Sequence, residues 1–166
     1  MYRPNLIANY FIKKSLDTGN GLTPMQLLKL VYIAHGWYLA IADKDLIDEG
    51  VQAWKYGPVI PSVYHKFKLY GNSEINSLVS VDVPGWSDDP YGEGIPVNNL
   101  SNIAESDKKF LDKIFEVYGK YSGVQLSNLT HQEDTPWDII WNKEGGMYDR
   151  QKLIPNDLIK EHYKKL

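Results

Sequence analysis

Between Thr23 and Ala42 the only formally charged side chain is Lys29. Apolar residues recur at Leu27, Val31, Ala34, Tyr38 and Ile41, and again at Leu28, Tyr32 and Leu39. A helix with that pattern is apolar nearly all round, and such a helix belongs at the centre of a fold with others packed about it. Thr23 followed by Pro24 marks its start, a cap residue and then a proline in the opening turn. The most apolar part, Leu27 to Ala42, carries Lys29, His35 and Gly36, and it is short against the roughly 20 apolar residues of a bilayer span. A buried helix is expected, and no membrane partner.

The flanks supply the packing elements. Proline is tolerated in an opening turn, so a first helix is predicted from Arg3–Pro4 to Leu16, with Ile7, Tyr10, Phe11 and Lys14 on one face, broken by Asp17–Gly21. Asp43–Lys55 reads as a small hairpin in which Val51–Lys55 alternates like a strand, and Tyr56–Pro61, with two prolines, reads as a shaped loop. A third helix is predicted over Pro61–Tyr70, stopped by Gly71-Asn72. Ser106-Asp107 opens an amphipathic helix with Phe110, Leu111, Ile114, Val117, Tyr118 and Tyr121 on one side. Shorter helices are predicted at Val124–Thr130, Trp137–Asn142 and Pro155–Lys164. No repeat or linker divides the chain, and its 166 residues suit one core. The expectation is one mainly α domain over 1–166 with a single small β-hairpin element.

Charge is unevenly spread. Residues 1–80 carry eight basic and six acidic side chains, residues 81–106 carry no basic and five acidic ones, and residues 107–166 carry ten of each. A nucleic-acid partner requires a basic stripe to neutralise phosphates, and none is visible. Residues 79–100 combine three Pro and three Gly without a helical period, which predicts a long surface loop, with short strand pieces possible at Leu78–Val83 or Ile95–Val97. Tryptophan and tyrosine are enriched where proteins bind one another. Trp86, Asp88, Asp89, Tyr91 and Glu93 are therefore the candidates for contact with a partner.

Residues able to do chemistry are sparse. Without cysteine there is no disulfide, thiol nucleophile or cysteine metal site, which fits a cytoplasmic protein, and the first residues show no secretory signal. His35 has Val31 and Leu39 as its neighbours one turn away, so it makes no helical ligand pair and reads as a hydrogen-bonding core histidine. His131 reads as a helix-terminating residue, and His65 and His162 as surface residues. No GxSxG elbow or phosphate-binding loop is present. No metal, no cofactor and no enzymatic activity are expected. Trp54 and Trp137 read as residues that close the core.

Three blocks stand out: Leu28-Lys-Leu-Val-Tyr-Ile-Ala-His-Gly-Trp-Tyr-Leu-Ala40, then Ala53-Trp-Lys-Tyr-Gly-Pro-Val-Ile-Pro-Ser-Val-Tyr64, then Leu129-Thr-His131 with Pro136-Trp137. Together they resemble the Panacea-domain family, which takes in SocA-like antitoxins and GepA-like phage-associated proteins. The matched positions are Lys29, Tyr32, His35, Trp37, Trp54, Tyr56, Gly57, Pro58, Pro61, Tyr64, Thr130, His131, Pro136 and Trp137. The resemblance implies an antitoxin that neutralises, by direct contact, a toxin encoded by an adjacent gene, and within the family a proteolytic adaptor role toward a ClpXP-type protease. Lys29, Tyr56 and His131 carry polar groups that a buried site would have to satisfy, so a shared neighbourhood is expected for them. The competing expectation is an enzyme or small-ligand binder using a pocket around Lys29, His35, Tyr56 and His131.

Overall fold

The computed structural model describes residues 1–79, 100–149 and 151–166. The expected loop and strand pieces beyond Val79, with Trp86, Asp88, Asp89, Tyr91 and Glu93, lie outside the described residues. Helix α1 spans Pro4–Thr18 and ends on Gly19 in the left-handed region. Helix α2 spans Pro24–Ala42 and opens on a reciprocal cap: Thr23 Oγ1 accepts from the Gln26 backbone N–H, and the Gln26 side chain accepts from the Thr23 N–H.

The chain is mainly α, and α2 is its hub. It packs against α1, α3 (Pro61–Phe67), α4 (Glu105–Tyr118), α5 (Gly123–Thr130) and α7 (Asn156–Tyr163). Both polar residues that interrupted its sequence, Lys29 and His35, are buried with it. Its exposed residues are Met25 in the first turn and Ile41 in the last. Between α5 and α7 lie the short helix α6 (Pro136–Asp138) and a π-helical turn over Ile139–Lys143.

The β element differs from expectation in position and extent. Strand β1 (Val51–Trp54) turns at Lys55-Tyr56 into β2 (Gly57–Val59), so the hairpin runs forward into the segment read as a loop. Residues 46–48 are held instead by the N-terminus, where the Tyr2 N–H donates to the Leu46 carbonyl and the Asp48 N–H to the Tyr2 carbonyl. Strand β3 (Leu153–Ile154) completes an antiparallel sheet in the order β2-β1-β3. Pro58 pairs with Ala53 on the edge strand β2, a place where a residue without an N–H is accepted.

Helix α4 also starts differently. Ala104 occupies the cap position without a side-chain bond, and Ser106 sits inside the first turn. The helix start is tied by Asp107, which accepts from Tyr2 Oη at 2.6 Å and Tyr38 Oη at 3.1 Å. Of its expected apolar face, Leu111 and Ile114 are buried while Val117 is exposed.

Candidate functional site

Lys29 is the starting point, because an ammonium group with 2% of its residue exposed requires partners. It finds them in the hairpin turn: Nζ donates to the Tyr56 carbonyl at 2.9 Å and the Pro58 carbonyl at 3.2 Å. No described carboxylate balances the charge, and burial pushes its pKa down to about 7.

Gly57 makes this approach possible. Its φ is +107°, and a Cβ there would overlap Lys29 Nζ and stand 2.6 Å from His131 Cε1. Any side chain at this position would be strained by conformation and blocked by contact. The Lys-Tyr-Gly-Pro block is thus a turn whose carbonyls wrap a buried amine.

His131 closes the other side. It ends α5, and its Nδ1 donates to the Ser127 carbonyl at 2.6 Å. Its pKa is lowered by burial above all and by the nearby Lys29, against the opposing influence of the Ser127 and Lys55 backbone carbonyls. Its ring lies 4.1 Å from that of Trp137, and Trp137 Nε1 donates to the Trp54 carbonyl at 2.7 Å. The hairpin is therefore clamped twice, by Lys29 from α2 and by Trp137 from α6.

The remaining matched residues brace this arrangement. Thr130 accepts through its carbonyl from Thr135 Oγ1 at 3.2 Å, and Thr135 caps α6 just ahead of Pro136. Pro61 opens α3, and Tyr64 from that helix meets Trp54 edge-on at 4.9 Å. Tyr32 and Trp37 both pack edge-on against Tyr163 of α7, and Trp37 Nε1 donates to Tyr118 Oη at 2.9 Å.

Two expected members fall away from the cluster. Tyr56 contributes its backbone carbonyl only; its side chain is 70% exposed. His35 faces α7, where Nε2 is 3.2 Å from Asn156 Oδ1, because six residues along a helix carry it to another face. A pocket joining Lys29, His35, Tyr56 and His131 is therefore not what the structure forms. His65 is exposed, His162 partly so.

Beside the clamp lies an open groove of about 690 Å³. Its walls come from the start of α2 (Met25, Leu28), the hairpin (Trp54, Tyr56, Val59), α3 (Tyr64, Lys68) and the region after α6 (Trp141, Met147). Sequence reasoning missed this surface because its parts are far apart along the chain. Thr135, by contrast, was findable: Thr135-Pro136 repeats the Thr23-Pro24 start signal. Among the described residues no group of three or more His, Asp or Glu could hold a metal ion, and no described helix is long and apolar enough to cross a membrane.

A buried central helix that clips a small hairpin through a lysine paired with no described carboxylate defines a mainly α domain of particular construction. The family model described as "Antitoxin SocA-like, Panacea domain" matches residues 27–138, and the chain belongs to that family. It is similar to Antitoxin SocA of Caulobacter vibrioides (strain NA1000 / CB15N), with 26% identity over 159 residues, 95% of this chain and 80% of that protein. No solved structure matches the chain.

Proposed function

We propose that this chain is an antitoxin that neutralises a cognate toxin by direct contact and has no catalytic role of its own. The family match over residues 27–138 carries the reading, since it runs from the central helix through both clamps on the hairpin. The polar groups of the matched residues support it. Lys29, Thr130, His131 and Trp137 are engaged in internal hydrogen bonds, an arrangement suited to holding a surface in shape.

On this reading the partner is the product of an adjacent gene and the compartment is the cytoplasm. Co-expression with the neighbouring gene product, scoring growth and co-purification, tests it. Rescue of growth with a stable complex is the expected result. Rescue without a complex would replace contact by degradation, through an adaptor role toward a ClpXP-type protease, and a harmless neighbour would overturn the reading. The sequence adds one contact candidate, the acidic aromatic segment: Asp88, Asp89 and Glu93, with Trp86 and Tyr91, suit a basic patch on the toxin.

A further inference from the structure

The groove beside the clamp has a chemistry of its own. Its walls are apolar and aromatic, and two methionines, Met25 and Met147, each 41% exposed, stand at its edges. Methionine is flexible and polarizable, so it conforms to side chains of irregular shape. Tyr56 stands at the mouth with Lys55 Nζ 5.4 Å from its ring centroid. About 690 Å³ is larger than one side chain requires and falls in the range of built ligand clefts, roughly 300–1,000 Å³.

Among the described residues the charge at the groove has one sign. Lys29, Lys55 and Lys68 line it, and none of the described residues lining it is acidic. Lys55 and Lys68 form no ion pair among the described residues. Yet the whole chain has a net charge of −3, so this basic rim stands against an acidic background. An apolar floor within a single-signed rim selects partners by charge and holds them by burial.

We infer that the groove seats an acidic segment of the toxin, one that presents aliphatic or aromatic side chains between its carboxylates. This rests on the antitoxin reading for the identity of the partner, and on charge complementarity for the chemistry of the segment. Nucleic acid fits less well: two exposed lysines do not make a stripe that follows a phosphate backbone, and the methionine walls match side chains.

Two experiments test this separately from the antitoxin reading. In the first, fluorescence anisotropy at low salt compares a labelled peptide of alternating Glu with Leu and Trp, its Lys-substituted counterpart, and a single-stranded DNA oligonucleotide, each titrated with the full chain. The acidic peptide is expected to bind about tenfold tighter than the basic one, and a Lys55→Glu/Lys68→Glu variant to lose about that factor while gaining affinity for the basic peptide. That exchange of preference also shows that the variant is folded. Equal binding of the two peptides, undiminished binding by the variant, or preference for the oligonucleotide would overturn the inference. So would self-association that the variant abolishes, which would make a second copy the occupant. The second experiment is growth rescue by native and variant chains. Failure of the native chain counts against the antitoxin reading; rescue by both chains alike counts against the groove alone.

Discussion

Gly57 and Lys29 occupy each other's space: a Cβ on Gly57 would overlap the Lys29 amine. That contact fixes where the hairpin meets α2, because the same amine bonds to the carbonyls on both sides of the glycine. Gly57→Ala is therefore expected to destabilise the fold by about 2–4 kcal/mol, combining left-handed strain with overpacking. Chemical denaturation of the native and variant chains measures it. A change below roughly 0.5 kcal/mol, the level of an ordinary surface substitution, would show that the turn is not held this way.

The Lys29 clamp also sets a pH dependence. Its pKa in the fold is about 7 against an ordinary 10.5, so between these values the unfolded chain binds the proton that the folded chain has released. Stability should therefore rise with pH across that window. The depressed pKa values of His35 and His131 add a rise at lower pH, ending near their ordinary 6.5. Buried Tyr32 and Tyr163 act in the opposite sense: their raised pKa values make stability fall above about pH 10, where the unfolded chain releases protons that the folded chain keeps. Denaturation midpoints measured from pH 6 to pH 10 should climb in the native chain, and Lys29→Met should flatten the climb above pH 7. An unchanged slope in that variant would remove Lys29 as its source.

How much of this was legible depended on where the determining contacts lie along the chain. Helix α2 was readable because Thr23-Pro24 and the apolar run specify both its start and its burial locally. Strand β2 was not, because a three-residue strand containing Pro58 is defined by its pairing with β1 and by the Lys29 amine, not by its own propensity. Strand β3, two residues long, carries no periodic signal at all. The neighbourhood of Lys29 with the Tyr56 backbone and His131 could be anticipated from polar groups needing partners, whereas the role of the Tyr56 side chain could not, since nothing in the sequence says that the turn points it outward. His35 was placed correctly as a hydrogen-bonding core residue, but its partner Asn156 is too distant in sequence to be inferred.

The second clamp gives a separate expectation. Trp137→Phe keeps most of the ring but removes the donor to the Trp54 carbonyl, leaving a half-buried acceptor without its bond. A cost of about 1–3 kcal/mol follows from the lost partner. Amide hydrogen exchange should show faster exchange in β1 and β2 with α1 unaffected. Uniform acceleration through the whole chain would mean that the bond supports the global fold instead of the hairpin.

Two turns along α2 from Lys29, Gly36 lets α7 approach closely. A Cβ there would overlap the ring of Tyr163, standing 2.6 Å from its Cζ, and that ring is held edge-on by Tyr32 at 6.1 Å and Trp37 at 5.4 Å. Unlike Gly57, Gly36 is an ordinary helical residue, so steric overlap is the whole cost of adding a methyl group, about 1–3 kcal/mol, and alanine's better helix propensity offsets part of it. The distinguishing measurement is a rescue. Gly36→Ala should lose protection in α7, and adding Tyr163→Leu, which shortens the obstructing side chain, should make the double variant less unstable than the sum of the two single changes. Strict additivity would mean that the two residues do not compete for the same volume, and α7 would then have to be held chiefly by other contacts, such as the Lys160–Asp43 ion pair and the Asn156–His35 bond.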